Sequence, residues 1–340
     1  MERALFLKAN IAALLTGGLD IWSSPSPSPA PAGPIRVLIA TDRAGEMPQP
    51  FDPLTFTFGG KRWRGRATTT VLPSGREGVV ATLDLDSYLY GVVPIEASPG
   101  WPASALQAQA IVARTYALAK RTLSRAYDVT VFESDQRYGG MAVEAASTSA
   151  AVDATRGMTL TFNGGPASVF YASCCGGHTA DAAEIWGHNA LPYLRGVADP
   201  HCTAAPDYRW SRSVPIERVT TALGARVPGS ITGFTVSVAA GDGRPATLDV
   251  LGSAGRSTLS TIEFRRLIGA DVVRSTWIRS VRLDTAQPTP QVLIDGSGRG
   301  HGVGFCQWGA RYMSTDGAPA RDILAFYFPG TTIASGVSAQ

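Results

Sequence analysis

Charge is scarce in this sequence, and neither sign dominates. Of the 340 residues only 17% are charged, and 30 basic against 27 acidic side chains leave a formal net charge of +3. The sequence has no run of basic residues and no basic patch interleaved with aromatic side chains. Nucleic-acid binding needs such a patch to neutralise phosphates. We therefore expect no nucleic-acid partner.

Long hydrophobic runs are also missing. The apolar run over residues 11–19, which follows Arg3 and Lys8, is too short to cross a bilayer as a helix. Residues 1–22 predict an export signal or a short anchor, and residues 23–34, rich in proline and serine, predict a stiff linker. A disordered tail is the alternative for this segment. We expect an exported protein with at most an N-terminal membrane anchor.

Cysteine and histidine are rare and confined to one part of the chain. They number four each and lie at Cys174, Cys175, His178, His188, His201, Cys202, His301 and Cys306. Cys175, His178 and Cys202 could hold a structural zinc ion, although their spacing matches no standard zinc finger. A disulfide between Cys175 and Cys202 is the rival hypothesis in an oxidising compartment. Free thiols are the third alternative, and the residues alone leave all three open.

The last of these cysteines lies in a glycine-rich stretch, GRGHGVGFCQWGA. Cys306 follows His301 by five residues, so a nucleophilic cysteine–histidine pair is one interpretation. The structural interpretation is a tight loop whose glycines allow positive φ and a close approach to a ligand.

One carboxylate stands out against this background because its neighbours are apolar. Glu96 follows the run Val92-Val93-Pro94-Ile95 and precedes Trp101 by five residues. Removing water from a carboxyl group disfavours its charged form and raises its pKa. Such a group can donate a proton to a leaving oxygen near neutral pH. A solvated loop glutamate or a helix-capping glutamate is the plainer alternative.

A helix is predicted shortly after Glu96. Pro102 suits the first helical position, where its missing N–H is not needed, and the residues that follow are apolar on nearly every face. This pattern predicts a buried central helix. Its polar exceptions need partners, because an unpaired buried polar group costs ~1–3 kcal/mol. We expect Arg114 to pair with a carboxylate.

The rest of the chain predicts an α+β fold with antiparallel β regions packed around that buried central helix. Alternating segments between residues 35 and 85 predict strands. Further on, helices are predicted near residues 143–155 and at 260–268, strands at 232–239 and 247–251, and an amphipathic stretch at 215–223. We expect a single elaborated catalytic domain over residues 35–330 and a C-terminal tail over 331–340.

Four stretches that occur together in this order are highly specific for one protein family. They are YLYGVVPIEASPGWPASALQAQAIVARTYAL, DQRYGG with AAVDATRGMTLTFNG, YASCCGGHTADAAEIWG with LPYLRGVADP, and GRGHGVGFCQWGARYM. On these stretches, roughly residues 35–330 resemble the stage II sporulation protein D family, which also contains proteins described as amidase enhancers. The resemblance implies a peptidoglycan lytic transglycosylase of the cell envelope that requires no cofactor.

The family's catalytic glutamate falls on Glu96. The resemblance implies that this acid protonates the glycosidic oxygen and then, as a carboxylate, assists attack by the sugar's own 6-hydroxyl, which gives 1,6-anhydromuramic ends. A hydrolase with two carboxylates would need a second acid about 5–10 Å away. The conceivable second acids are Glu133, Asp135, Asp181 and Glu184.

A cleft for glycan strands should offer aromatic faces and polar groups. Candidate substrate-binding residues within the matching stretches are Tyr88, Trp101, Arg114, Tyr171, Ser173, Thr179, His301, Gln307 and Trp308, and Trp186 is a further aromatic candidate. Core packing is the default for any single tryptophan.

Two further implications of the resemblance concern metal and partners. Some relatives bind zinc through cysteine and histidine near the active site, although this chain has Ala172 where relatives often have histidine, and the family usually has serine where Cys306 stands. The alternative function is a non-catalytic module that binds glycan and enhances a cell-wall amidase.

Overall fold

The computed structural model describes residues 34–335 apart from 42–45, 123, 133, 188–189 and 238–241. Its strands are β1 (Ile35–Thr41), β2 (Gln49–Asp52), β3 (Thr55–Phe58), β4 (Lys61–Arg64), β5 (Arg66–Val71), β6 (Glu77–Leu83), β7 (Val129–Thr130), β8 (Met158–Phe162), β9 (Gly165–Pro166), β10 (Tyr171–Ala172), β11 (Trp210–Pro215), β12 (Ile231–Ser237), β13 (Thr247–Gly252), β14 (Gly255–Ser260), β15 (Ile278–Asp284), β16 (Gln291–Gly296), β17 (Phe305–Cys306) and β18 (Thr332–Ser335). Its helices are α1 (Leu85–Glu96), α2 (Ala103–Lys120), α3 (Ala146–Ala154), α4 (Ala182–Trp186), α5 (Ile216–Leu223), α6 (Thr261–Ile268), α7 (Gln307–Thr315) and α8 (Ala320–Tyr327).

The strands form several small sheets, most of them antiparallel. In the largest, β6 lies between β5 and β1, and β7 is added on the far side of β1. Alternation of apolar and polar residues sets the register, with Ile35 opposite Leu83 and Val37 opposite Ala81, all buried. The short pairs β1 with β7 and β10 with β17 are parallel. A mixed fold of helices and mainly antiparallel sheets is therefore confirmed.

Helix α1 follows this sheet directly and was not predicted. Asp84 caps it, because its carboxylate accepts hydrogen bonds from the backbone N–H groups of Asp86 and Ser87. Pro94 lies in the last turn, where its missing N–H breaks only one helical hydrogen bond, and the helix ends at Glu96. Glu96 is thus the last residue of a helix and not part of a loop.

Helix α2 begins at Ala103, one residue later than predicted, with Pro102 as its cap. Every residue from Ala108 to Leu118 is buried. One face packs with α1 and β1, and the other packs with β8 and α8. Arg114 pairs with a carboxylate, as predicted. The partner is Asp86 of α1, whose Oδ1 lies 2.7 Å from Nη2 of the Arg114 guanidinium.

Residues 210–296 build a separate apolar cluster. Strands β11, β16 and β15 form one sheet, β12, β13 and β14 form another, and helices α5 and α6 pack against them. The predicted helix at 260–268 is observed as α6, capped by Ser260 and ended at Gly269 with φ of 109°. The amphipathic segment at 215–223 is observed as α5.

The chain ends differently from the prediction. Residues 332–335 do not belong to a tail, because they form β18, which pairs antiparallel with β8. The predicted export signal or anchor and nearly all of the linker lie outside the described residues. Across the described part of the chain, no helix combines the length and the apolar composition that a membrane span requires.

Candidate active site

A cleft of about 810 Å³ opens beside the end of α1. All four of the specific sequence stretches contribute to its wall, although they are far apart in the chain. The lining residues are Ile95, Glu96, Tyr116, Lys120, Ser134, Asp135, Arg137, Phe170, Tyr171, Ala172, Ser173, Trp186, Arg265, Ala270, Asp271, Arg299, Gly300, His301 and Gln307. The fold therefore brings these stretches to one surface.

Two hydrogen bonds hold the carboxylate of Glu96 in this cleft. Its Oε1 accepts from the backbone N–H of Arg137 at 3.1 Å, and its Oε2 accepts from Nε2 of Gln307 at 3.5 Å. Gln307 is the first residue of α7, and its Nε2 also donates to Oε1 of Gln109 on α2 at 3.2 Å. Three separate segments thus fix the position of one carboxyl group.

The pKa of the Glu96 carboxyl is shifted upward at this position. Burial raises the pKa of its carboxyl group above the ordinary value of 4.5, and the N–H of Arg137 and the side chains of Gln307 and Tyr171 oppose that rise. The C-terminal end of α1 carries a partial negative charge, which also disfavours a carboxylate there. A carboxyl group with a raised pKa is the type of group that general acid catalysis uses.

Tyr171 supplies a hydroxyl next to this acid. Its Oη is buried and lies close enough to the Glu96 carboxyl to lower the pKa of that group. A hydroxyl in this position favours the ionised carboxylate, because it can donate a hydrogen bond to it.

The substitution Tyr171→Phe should shift the pH dependence of any glycan cleavage in which Glu96 is the acid. Losing this hydroxyl removes a group that favours the ionised carboxylate, so the pKa of Glu96 rises further and the basic limb of the rate profile moves to higher pH. The measurement is glycan cleavage against pH. Tyr312→Phe is the matched control, because the Tyr312 hydroxyl donates to Ala204 O outside the cleft. If the basic limb of the rate profile did not move in Tyr171→Phe, the Tyr171 hydroxyl would not be acting on the Glu96 carboxyl.

Of the predicted substrate-binding residues, four line the cleft beside Glu96: Tyr171, Ser173, His301 and Gln307. Trp186 lies there too, and its ring packs on Phe170 and on His301, with centroids 4.6 Å and 5.3 Å away. A tryptophan and a histidine on one wall provide flat surfaces of the kind that a sugar ring contacts.

The other five predicted residues do not line the cleft. Tyr88 is fully buried, and the Thr179 hydroxyl accepts a hydrogen bond from Val197 N at 2.7 Å. Trp101 and Trp308 contact each other edge to face at 5.3 Å, and Arg311 lies over the Trp308 ring. Each of these side chains already has a structural role.

Arg114 is the clearest of these five. Its guanidinium donates to Asp86, to the carbonyl oxygens of Val152 and Met158, and to the Thr155 hydroxyl. The side chain ties α1 and α2 to the segment that follows α3. A substrate-binding role does not fit these contacts.

His301 is a neutral member of the wall. Burial lowers the pKa of its imidazole to about 4. Its Nδ1 accepts a hydrogen bond from Val303 N at 3.0 Å, whereas the Cys306 Sγ accepts from the backbone N–H groups of Cys175 and Gly309. These contacts give no support to a His301–Cys306 catalytic pair.

Sequence reasoning missed the cations of the cleft. Lys120, Arg137, Arg265 and Arg299 all line it. Arg137 had a usable signal, because it lies in the DQRYGG stretch. Arg299 had the same kind of signal, because it lies in the GRGHGVGFCQWGARYM stretch. Lys120 and Arg265 lie outside the four stretches and gain their place only through the fold.

Among the conceivable second acids, Asp135 shares the cleft with Glu96. Its carboxylate accepts from the Tyr116 hydroxyl at 3.2 Å and from Thr130 N at 3.0 Å. Asp181 caps α4 and pairs with Arg195, and the exposed Glu184 lies on α4 away from the lining. Glu133 lies outside the described residues.

The four cysteines are buried and none forms a disulfide in the structure. The Sγ atoms of Cys175 and Cys202 lie 3.4 Å apart. His178, the third predicted zinc ligand, points elsewhere: its Nδ1 lies 2.7 Å from Thr179 O.

Comparison with known proteins gives the family. A family model described as Stage II sporulation protein matches residues 74–162, which include Glu96 and α2. A protein of Brachyspira hyodysenteriae that has no described function is 32% identical over 263 residues, covering 75% of this chain and 68% of that protein. The Stage II sporulation protein D of Bacillus amyloliquefaciens is 27% identical over 276 residues, covering 76% of each.

This chain belongs to the stage II sporulation protein D family. Another relative within that family is the Amidase enhancer of Bacillus subtilis, which is 31% identical over 297 residues, 73% of this chain. The chain spans only 40% of that protein's length.

Proposed function

We propose that the protein is a peptidoglycan lytic transglycosylase in which Glu96 is the general acid and then the general base. The observation that supports this most is one partly buried acid with a raised pKa, held by two hydrogen bonds in a cleft to which all four family stretches contribute. The substrate would be the glycan strand of peptidoglycan, and the place of action the cell envelope.

The proposed reaction needs no second carboxylate. Glu96 transfers its proton to the glycosidic oxygen while the bond from that oxygen to the anomeric carbon breaks. The muramic 6-hydroxyl oxygen then bonds to the anomeric carbon, and its proton returns to the Glu96 carboxylate. The Arg137 N–H and the Gln307 amide stabilise that carboxylate while it is ionised.

Cations and flat side chains would hold the strand. Arg137, Arg265 and Arg299 line the cleft and suit the carboxylates of peptidoglycan, which include the lactyl carboxylate of a muramic residue whose stem peptide has been removed. Trp186 and His301 offer a wall for a sugar ring.

Product analysis tests this proposal. Purified protein is incubated with peptidoglycan, and the new glycan ends are identified by mass spectrometry. A transglycosylase produces 1,6-anhydromuramic ends with no water added, whereas a hydrolase produces reducing ends. Reducing ends alone would overturn the mechanism.

Asp135 distinguishes the one-acid from the two-acid mechanism. Because the proposed reaction gives this residue no chemical role, Asp135→Asn should retain cleavage within about tenfold, a loss that corresponds to one weakened hydrogen bond. A catalytic second carboxylate would instead cost about 10² or more. The measurement is the initial rate of glycan cleavage, compared with Ser134→Ala as a control from the same cleft wall.

The second candidate function is enhancement of a cell-wall amidase, and the relative named Amidase enhancer favours it. In this case the cleft binds glycan but the acid is not required. Amidase activity on peptidoglycan should then rise when the protein is added, and Glu96→Gln should stimulate it as well as the unaltered chain does.

A further inference from the structure

Behind the cleft wall, four buried side chains meet in a cluster that the cleavage reaction does not use. They are Cys175, Asp199, Cys202 and Cys306. Their ligand atoms, one from each residue, all lie within 4.8 Å of one another. The Cys175 Sγ is 3.1 Å from the Asp199 Oδ2 and 3.4 Å from the Cys202 Sγ. Three distant segments of the chain contribute to this cluster.

The spacing suits a tetrahedral metal ion. With Zn–S bonds of ~2.3 Å, tetrahedral sulfur ligands lie ~3.8 Å apart, and an oxygen ligand lies closer. The distances in the cluster fall around these values. Thiolate and carboxylate oxygen are both zinc ligands, and three thiolates favour zinc over the hard cations calcium and magnesium.

A bound cation would also compensate the acidic groups of the cluster. The Asp199 carboxyl is buried, and the hydrogen-bond partners that the structure gives it are the Tyr327 hydroxyl, the His201 N–H and the Cys175 thiol. None of these three is positively charged. The nearby Arg244 donates instead to the backbone oxygens of Cys175 and His178. Burying acidic groups together is costly unless a cation is bound with them.

The sulfur of Cys306 accepts backbone hydrogen bonds of the kind that stabilise metal-bound thiolates. Its Sγ accepts the backbone N–H groups of Cys175 at 3.3 Å and of Gly309 at 3.4 Å, because Cys306 is the N-cap of α7. Donors to a ligand atom orient it and stabilise its negative charge.

We propose that Cys175, Asp199, Cys202 and Cys306 bind one structural zinc ion. Four protein ligands, all buried, leave no open position for water or substrate, which is typical of structural and not catalytic zinc. The set replaces His178 of the sequence prediction with Asp199 and Cys306. The site does not depend on the proposed function, although it adjoins the cleft: Gln307, which contacts Glu96, follows Cys306 directly.

Elemental analysis of the full chain, purified without chelator, tests the proposal. We expect one zinc ion per chain and a lower Tm after removal of the metal by a chelator. Exchange for Co²⁺ should give the thiolate-to-cobalt charge-transfer absorption and the d–d bands of a tetrahedral site. Absence of zinc, with either four reactive thiols in denaturant or a Cys175–Cys202 disulfide in peptide mapping, would overturn the site.

Variants identify the ligands. Cys202→Ser and Asp199→Asn should weaken zinc binding by about 100-fold or more, whereas His178→Ala should keep one zinc per chain. Competition with a chromophoric chelator measures the affinity. Should a ligand variant fail to fold, the zinc content of the unaltered chain and of His178→Ala still decides the matter. Loss of zinc in His178→Ala together with its retention in Asp199→Asn would refute this ligand set.

Discussion

Glu96→Gln should fold normally and lose glycan cleavage by about 10²-fold or more, because proton transfer by a positioned acid contributes about that factor. Glutamine keeps the size of the side chain and can still contact Gln307 and the Arg137 N–H, but it has no proton to give to the leaving oxygen. The measurement is the initial rate of release of anhydro-ended fragments from purified peptidoglycan.

Glu184→Gln is the matched control for this experiment. It makes the same chemical change at an exposed residue of α4 that does not line the cleft. We expect its rate to equal that of the unaltered protein. If Glu96→Gln cleaved at a near-normal rate, the acid would have to be another group, and amidase enhancement would become the better proposal.

Glu96→Gln should not lower the stability of the protein, although it lowers the rate of cleavage. Because the pKa of Glu96 is raised in the folded protein, its contribution to stability is fully present below the ordinary value near 4.5 and is lost as the pH rises through the raised pKa. Glutamine does not ionise. Glu96→Gln should therefore match the unaltered protein in Tm at low pH and equal or exceed it at neutral pH.

The sequence predicted the elements whose patterns are local. Strands β12 and β13 and helix α6 lie within one or two residues of the predicted positions, and α2 begins one residue after Pro102. Alternation, Pro102, Ser260 and Gly269 are signals within single segments. Helix α1 was missed because Pro94 and the run of β-branched valines resemble an extended segment. Its actual signal was Asp84, whose carboxylate caps the first turn.

The sequence predicted which segments form the cleft but not which of their side chains line it. Four family stretches converge at one cleft, yet membership in a stretch does not tell which face of a helix a residue occupies. Trp101 and Trp308 lie in separate stretches and pack on each other. Asp199 lies in the LPYLRGVADP stretch, three residues before Cys202, but it meets Cys175, 24 positions earlier in the chain, only through the fold. Spacing along the chain could not supply such a partner.

Arg114 allows the most direct test of a structural role against a substrate-binding role. Asp86→Ala should lower the free energy of unfolding by about 3–5 kcal/mol, because it leaves a guanidinium that is 1% exposed without its carboxylate. For a chain of this size we expect a fall in Tm on the order of 10 °C. The measurement is thermal or denaturant unfolding. Asp153→Ala, which removes an exposed partner of Arg156, is the matched control and should cost about 0–1 kcal/mol.

The double variant Asp86→Leu with Arg114→Met separates lost charge pairing from lost substrate binding. Removing both charges leaves no unpaired ion in the core, so much of the stability lost in Asp86→Ala should return. Since the Arg114 guanidinium is directed to Asp86, Val152 and Met158 and not to the cleft, the folded double variant should cleave glycan with an unchanged KM. A KM raised tenfold or more in a stable double variant would show that Arg114 contacts the strand and that its pairing with Asp86 is not its main role.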